Sequence, residues 1–151
     1  MEKETTGPGT ALTTTKDAPA IDVVYKLTAI DRDGGLEPSM KLSTGKVTYP
    51  NPKAVSRIES DGTYERDVIG LREEDLPGES LLETVVEDGD LVGDVPDLDD
   101  IRTRTLAELE KLPRSIRAIE DPAEYAVEIS EQLGDLTADT EAQLEREQER
   151  R

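Results

Sequence analysis

The chain has 151 residues, enough for one ordinary domain, and its formal charge is −18, from 36 acidic and 18 basic side chains. A surface of that sign repels nucleic-acid phosphates and anionic membranes, so both are excluded as expected partners. With no Cys and no His there is no disulfide, no thiolate metal site and no imidazole base. Phe and Trp are also absent, leaving Leu, Ile, Val and four Tyr to build any core. Such a core is small, and the expectation is a domain that packs against something larger. The acids are spread through the chain instead of forming one tail, and Lys (seven) is scarcer than Arg (eleven). That pattern suits a folded protein of a salt-adapted organism, where self-repulsion is screened. No apolar run is long enough for a membrane span and the first residues do not read as a signal peptide, so a cytoplasmic protein is expected.

Residues 1–20 are rich in Gly, Thr, Pro and Ala and read as a loop around Gly7-Pro8-Gly9-Thr10. Residues 21–30 are β-branched and apolar enough for a strand, and Asp31–Gly35 has the composition of a turn. Short strands are expected around Met40–Ser43 and Gly45–Tyr49, closed by the Pro50-Asn51-Pro52 break. Lys53–Glu59 and Tyr64–Leu71 flank Ser60-Asp61-Gly62-Thr63, a hairpin signal. A second Asp-Gly turn, Asp88-Gly89, lies between Ser80–Glu87 and Leu91–Val92. Arg57 and Arg66 fall across the first hairpin, where each is expected to pair with acids.

After Pro96 the period changes. Ile101, Leu106, Leu109 and Leu112 recur at helical spacing, and Asp97, Asp99 and Asp100 occupy the first turn, where carboxylates complement the helix dipole. These three acids read as a helix start in preference to a metal cluster. Pro113 ends that helix or opens a short second one through Ile116 and Ile119, and Ser130 caps a last helix carrying Leu133, Leu136 and Leu144. The expected class is α+β: a loop over 1–20, a mostly antiparallel β domain over 21–95, and two or three helices over 96–151.

Three ordered segments resemble the nicotinate phosphoribosyltransferase family. The first is Gly7-Pro8-Gly9-Thr10-Ala11-Leu12-Thr13, then Asp17-Ala18-Pro19-Ala20 and Val24-Tyr25-Lys26-Leu27. The second is Met40-Lys41-Leu42-Ser43 with Gly45-Lys46-Val47-Thr48, Pro50, Lys53, Val55 and Arg57. The third is Arg66-Asp67-Val68-Ile69-Gly70-Leu71, with Leu81-Leu82 beyond, and looser similarity runs through Pro113–Tyr125 to Glu128-Ile129-Ser130. The resemblance implies an irregular α/β barrel with an added β-rich domain, of which this chain carries the C-terminal part and a barrel remnant at its front. It also implies conversion of nicotinate and phosphoribosyl pyrophosphate to nicotinate mononucleotide, coupled to ATP hydrolysis with Mg2+, in NAD salvage. By the same resemblance Gly7, Gly9 and Thr10 hold the sugar 5′-phosphate, in a loop whose glycines let the backbone close on an anion. Pro8 stands where the family usually has valine and has no N–H to donate. Lys41, Ser43 and Lys46 are candidate contacts to an anionic substrate or to a neighbouring domain.

The resemblance further implies that the nicotinate pocket, the pyrophosphate-binding basic residues and a phosphorylated histidine precede residue 7. Three readings remain open: a split subunit completed by a separately made barrel portion and inactive alone, a non-catalytic remnant, or a stand-alone protein-interaction module.

Overall fold

A computed structural model describes the chain over residues 25–41 and 48–150. Three Asp-Gly pairs organise its β part. At Asp33-Gly34, Asp61-Gly62 and Asp88-Gly89 both residues have positive φ. That conformation matches a two-residue turn to the twist of paired strands, and it favours Gly at the second position. The turns join β1 (Ala29–Arg32) to β2 (Gly35–Pro38), β3 (Lys53–Ser60) to β4 (Thr63–Leu71), and β6 (Val86–Glu87) to β7 (Asp90–Leu91), all antiparallel. The expected turn at Asp31–Gly35 is thus the tip of a hairpin, and the strand expected over 21–30 is shifted, since 25–28 are not strand and 21–24 lie outside the described residues. Among the described residues of the expected strands at Met40–Ser43 and Gly45–Tyr49, none is in a strand; Asn51 turns the chain there with φ 60°.

The main sheet has four strands in the order β5 (Glu79–Ser80), β3, β4, β8 (Ala126–Ile129). β8 lies parallel to β4, with Ile69 opposite Ile129 and Arg66 opposite Ala126. The domain is therefore mixed, and the stretch expected to hold only helices contributes an edge strand. β8, four residues long, is too short to be read from periodicity. It forms because β4 offers an unpaired edge. Ser130 N–H continues the ladder by donating to Ile69 O at 2.9 Å.

Two α-helices occur among the described residues. In α1 (Leu98–Lys111) the Asp97 carboxylate caps the start by accepting from Asp100 N–H at 2.9 Å. In α2 (Glu131–Glu149) Ser130 Oγ accepts from Leu133 N–H at 3.2 Å. The Ser130 cap stands where the sequence places it, whereas Asp97, expected within the first turn, stands just before it as the cap. Of the two expectations for Pro113, the helix end holds, since α1 stops at Lys111 with Leu112 as its C-cap; the alternative, a short helix through Ile116 and Ile119, is only a single turn. Ile116 and Arg117 N–H donate to Pro113 O, and Ile119 is fully exposed. Proline supplies the turn's first φ, but Asp121 at φ 48° breaks the continuation.

Among the described residues the core is small: Met40, Tyr64, Val68 and Leu133 are the buried apolar side chains, and Ser56, Thr140 and Pro50 are also buried. α2 presents Leu133, Leu136, Thr140 and Leu144 as its less exposed stripe and packs against β4. It is pinned by Ser130 Oγ, which donates to Glu74 Oε2 at 2.7 Å. α1 reverses the expected pattern. None of its residues is buried, its apolar Leu98, Ile101, Leu106 and Leu109 are exposed, and its polar Glu108 and Lys111 reach the sheet.

Gly78 (φ +95°) brings its backbone against β3 so closely that a Cβ would stand 2.3 Å from Arg57 O. We expect Gly78→Ala to lower unfolding free energy by about 2 kcal/mol or more, since neither the φ nor the space suits a side chain. A urea titration of wild type and variant checks this.

Candidate functional site

The polar centre of the domain is built on a fault in the β3–β4 hairpin. Ser60 pairs with Thr63 and Glu59 with Tyr64, so an unbroken register would set Arg57 opposite Arg66. The register instead shifts between Ile58 and Glu59. Ile58 then pairs with Arg66, and Arg57 with Asp67. The extra residue, Glu65, is a bulge. It turns a like-charge pair into an opposite-charge one. It also puts Tyr64 and Asp67, three apart in sequence, on one face of β4, where both meet Arg57.

The resulting cluster is dense. Arg57 Nε and Nη2 donate to the two Asp67 oxygens, each at 2.8 Å, a bidentate fork. Tyr125 Oη donates to Asp67 Oδ1 at 2.9 Å. The guanidinium lies 4.5 Å from the Tyr64 ring centre and 5.9 Å from that of Tyr125. Tyr64 Oη donates to Glu108 of α1, whose carboxylate is also 3.7 Å from Arg57 Nη1. Lys111 Nζ bonds Glu59 Oε2 at 3.1 Å and stands over Tyr64 at 5.2 Å. Side-chain exposure is 22% for Arg57 and 14% for Asp67, so solvent screens this pair little. Arg66 points elsewhere, to Glu128 of β8 at 3.1 Å.

These contacts set the proton affinities. Hydrogen bonds from Arg57, then from Tyr125, hold the Asp67 carboxyl below the usual carboxylate range. The bond to Asp67 raises Arg57 above the ordinary guanidinium value. Burial, aided by bonds to carboxylates, raises both Tyr64 and Tyr125. Each charged atom of the fork is engaged, so the cluster holds strands and helix together and offers no free base. Its chemistry is architectural.

A different surface offers cations to a ligand. Lys26 and Lys41 line a cleft of about 390 Å³ with Tyr25, Leu27, Ser39, Met40 and Thr48, and no carboxylate is among these residues. Lys41 is exposed, and its backbone N–H donates to Thr48 Oγ1 at 3.2 Å. Of the other candidate site residues, Gly7, Gly9, Thr10, Ser43 and Lys46 lie outside the described residues. Asp97 acts as the α1 cap, and Asp99 and Asp100 sit in its first turn. Among the described residues no group of three or more His, Cys, Asp or Glu side chains is placed to hold a metal ion. Nor is any helix of the described residues long and apolar enough to cross a membrane. Sequence reasoning identified Arg57 and Arg66 as acid-paired but missed Tyr64, Asp67, Glu108 and Tyr125 as one constellation. The signal lay in the hairpin register, which Glu65 alters without any mark in the composition.

A mixed sheet braced by two capped helices is the architecture of an accessory α+β domain, and comparison with known proteins gives its kind. Residues 77–137 match the model of the nicotinate phosphoribosyltransferase C-terminal domain. Nicotinate phosphoribosyltransferase pncB2 of Mycobacterium tuberculosis is 36% identical over 129 residues, covering 84% of this chain and 27% of that protein. The Bacillus subtilis nicotinate phosphoribosyltransferase is 32% identical, over 83% of this chain and 31% of that one. The crystal structure of human nicotinic acid phosphoribosyltransferase superposes with a TM-score of 0.60 at 27% identity, covering 68% of this chain and 24% of the human one. This chain thus carries a nicotinate phosphoribosyltransferase C-terminal domain, and it spans about a quarter to a third of the length of the relatives it matches.

Truncating Asp67 to Ala strands a poorly solvated guanidinium and should cost about 2–3 kcal/mol, while Tyr125→Phe should cost about 1 kcal/mol. A double-mutant cycle of Arg57→Ala and Asp67→Ala should show strong coupling in urea unfolding. The pH dependence follows from the shifts. Asp67 is depressed, so its contribution is complete above the unfolded value near ~4 and is lost as pH falls through the lowered one. Tyr64 and Tyr125 are raised, so theirs is complete below about pH 10 and is lost above it. Urea midpoints across pH should show the gap between wild type and Asp67→Asn closing in acid.

Proposed function

We propose that this chain serves nicotinate phosphoribosyl transfer as the C-terminal portion of the enzyme and does not turn over substrate by itself. The observation that carries this reading is the pairing of a C-terminal-domain match over residues 77–137 with coverage of only 27% of the Mycobacterium tuberculosis relative. The complete enzyme joins nicotinate to phosphoribosyl pyrophosphate, yielding nicotinate mononucleotide and pyrophosphate, with ATP and Mg2+ as co-reactants. Mg2+ and ATP are assigned to the rest of the enzyme, as the family resemblance implies for the complete protein. The part of this chain in the chemistry is anion binding. Amides of Gly7 and Gly9 and the Thr10 hydroxyl hold the sugar phosphate, and Lys41, Ser43 and Lys46 approach an anionic substrate or the adjoining domain. The carboxylate-free cleft at Lys26 and Lys41 supports that placement. The setting is the cytoplasm of a salt-adapted cell, as the net charge suggests.

Two measurements test this. The purified 151 residues, supplied with nicotinate, phosphoribosyl pyrophosphate, ATP and Mg2+, should form no nicotinate mononucleotide by chromatography, whereas co-purification with the preceding portion of the enzyme should restore it. Turnover by the chain alone, or no turnover in the mixture, counts against the reading. Urea midpoints should rise as KCl goes from about 0.1 M to about 2 M, because salt screens self-repulsion over a few ångströms; a flat response removes the salt-adapted setting.

A further inference from the structure

The β6–β7 hairpin is apolar on both sides and covered on neither. Val86 pairs with Leu91, and Val92 N–H donates to Val85 O at 2.8 Å, so Val85 and Val92 form the next pair. Successive pairs on a ribbon point to opposite faces. All four remain open to solvent: Val85 57%, Val86 57%, Leu91 62% and Val92 47%. A two-stranded ribbon of this length is not stable alone in water, and an apolar surface of this extent marks a contact site. Exposed Val95, Leu98 and Ile101 continue it into α1.

Charge limits what covers it. From Glu83 to Asp100 the chain has eight carboxylates and no Lys or Arg. A second copy seated face to face would set this acidic rim against itself, which costs several kcal/mol per like-charge juxtaposition. A ribbon with two apolar faces also needs a cleft rather than a plane. The required occupant is a surface with an apolar cleft and a basic rim. The relatives supply a candidate, since about three quarters of the Mycobacterium tuberculosis protein's length lies beyond the matched share.

We propose that the Val85–Val92 hairpin is a docking arm that seats in an apolar, basic-rimmed cleft of the catalytic portion of a nicotinate phosphoribosyltransferase. This rests on the reading of the chain as the C-terminal portion of that enzyme. Burial on both faces orders the hairpin and, through Pro96 and the Asp97 cap, fixes where α1 begins.

The test uses the full 151-residue chain and, as probe, the Mycobacterium tuberculosis relative shortened by its matched C-terminal share, co-expressed and separated by size-exclusion chromatography. Wild type should co-elute with the probe. Val86→Asp with Leu91→Asp should weaken the association at least about tenfold. Ile119→Asp, at a fully exposed apolar residue outside the hairpin, should leave it unchanged. If the aspartates disturb the fold by circular dichroism, Val86→Thr with Leu91→Thr keeps strand propensity and should weaken binding in the same direction. Glu87→Lys with Asp90→Lys should also weaken it; a strengthened complex overturns the basic rim. Equal binding by wild type and the hairpin variants overturns the docking arm while leaving the proposed function standing. Failure of wild type to bind the probe overturns both. A wild-type dimer that Val86→Asp with Leu91→Asp dissociates assigns the arm to a second copy and also overturns it.

Discussion

One misaligned residue in a hairpin governs the described domain. Were β3 and β4 in perfect register, two guanidinium groups would face each other at Arg57 and Arg66, a repulsive cross-strand pair. The bulge at Glu65 moves each arginine onto its own acid, Asp67 for the first and Glu128 for the second. Through those acids the sheet gains Tyr125 and β8 on one side. Through Tyr64 and Glu108 it gains α1. A core of four buried apolar side chains does not hold four elements by hydrophobic burial alone, so a charge-assisted network takes over part of that role. Such networks reward complete satisfaction and penalise its loss, and here the fork leaves no Asp67 oxygen without a donor.

The same economy explains the uncovered surface. With no Phe or Trp, few apolar side chains are buried among the described residues, Val68 of β4 and Leu133 of α2 among them. The apolar residues of the β6–β7 hairpin and α1 are left outside, with the polar side of α1 turned inward. A helix that presents Glu108 and Lys111 to its own domain and leucines to its surroundings is arranged for a larger body. Matching a C-terminal domain of proteins three to four times as long agrees with that arrangement.

The acidity has a related logic. Thirty-six carboxylates set like charges against each other wherever two copies of the chain approach. Several cationic groups are committed: Arg32, Arg57, Arg66 and Lys111 to acids of the domain, Lys53 to the Tyr49 and Asn51 carbonyls. Lys26 and Lys41 share a cleft with no carboxylate among its described lining residues.

What the residues determined by themselves was local. The Asp-Gly turns, the long hairpin, the Asp97 and Ser130 caps and the α+β class follow from backbone preferences that act within a few residues, as the three ordered motifs do for the family. Tertiary structure decided everything that depended on partners distant in sequence. β8 became a parallel edge strand because β4 had hydrogen bonds to complete, and between the two readings of Pro113 the structure took the helix end. Arg57 met Asp67 instead of Arg66 because a bulge, which leaves no periodic trace, altered the register. The inward face of α1 went to Glu108 and Lys111, since Tyr64 and Glu59 offered them hydrogen bonds that its leucines had no means to make.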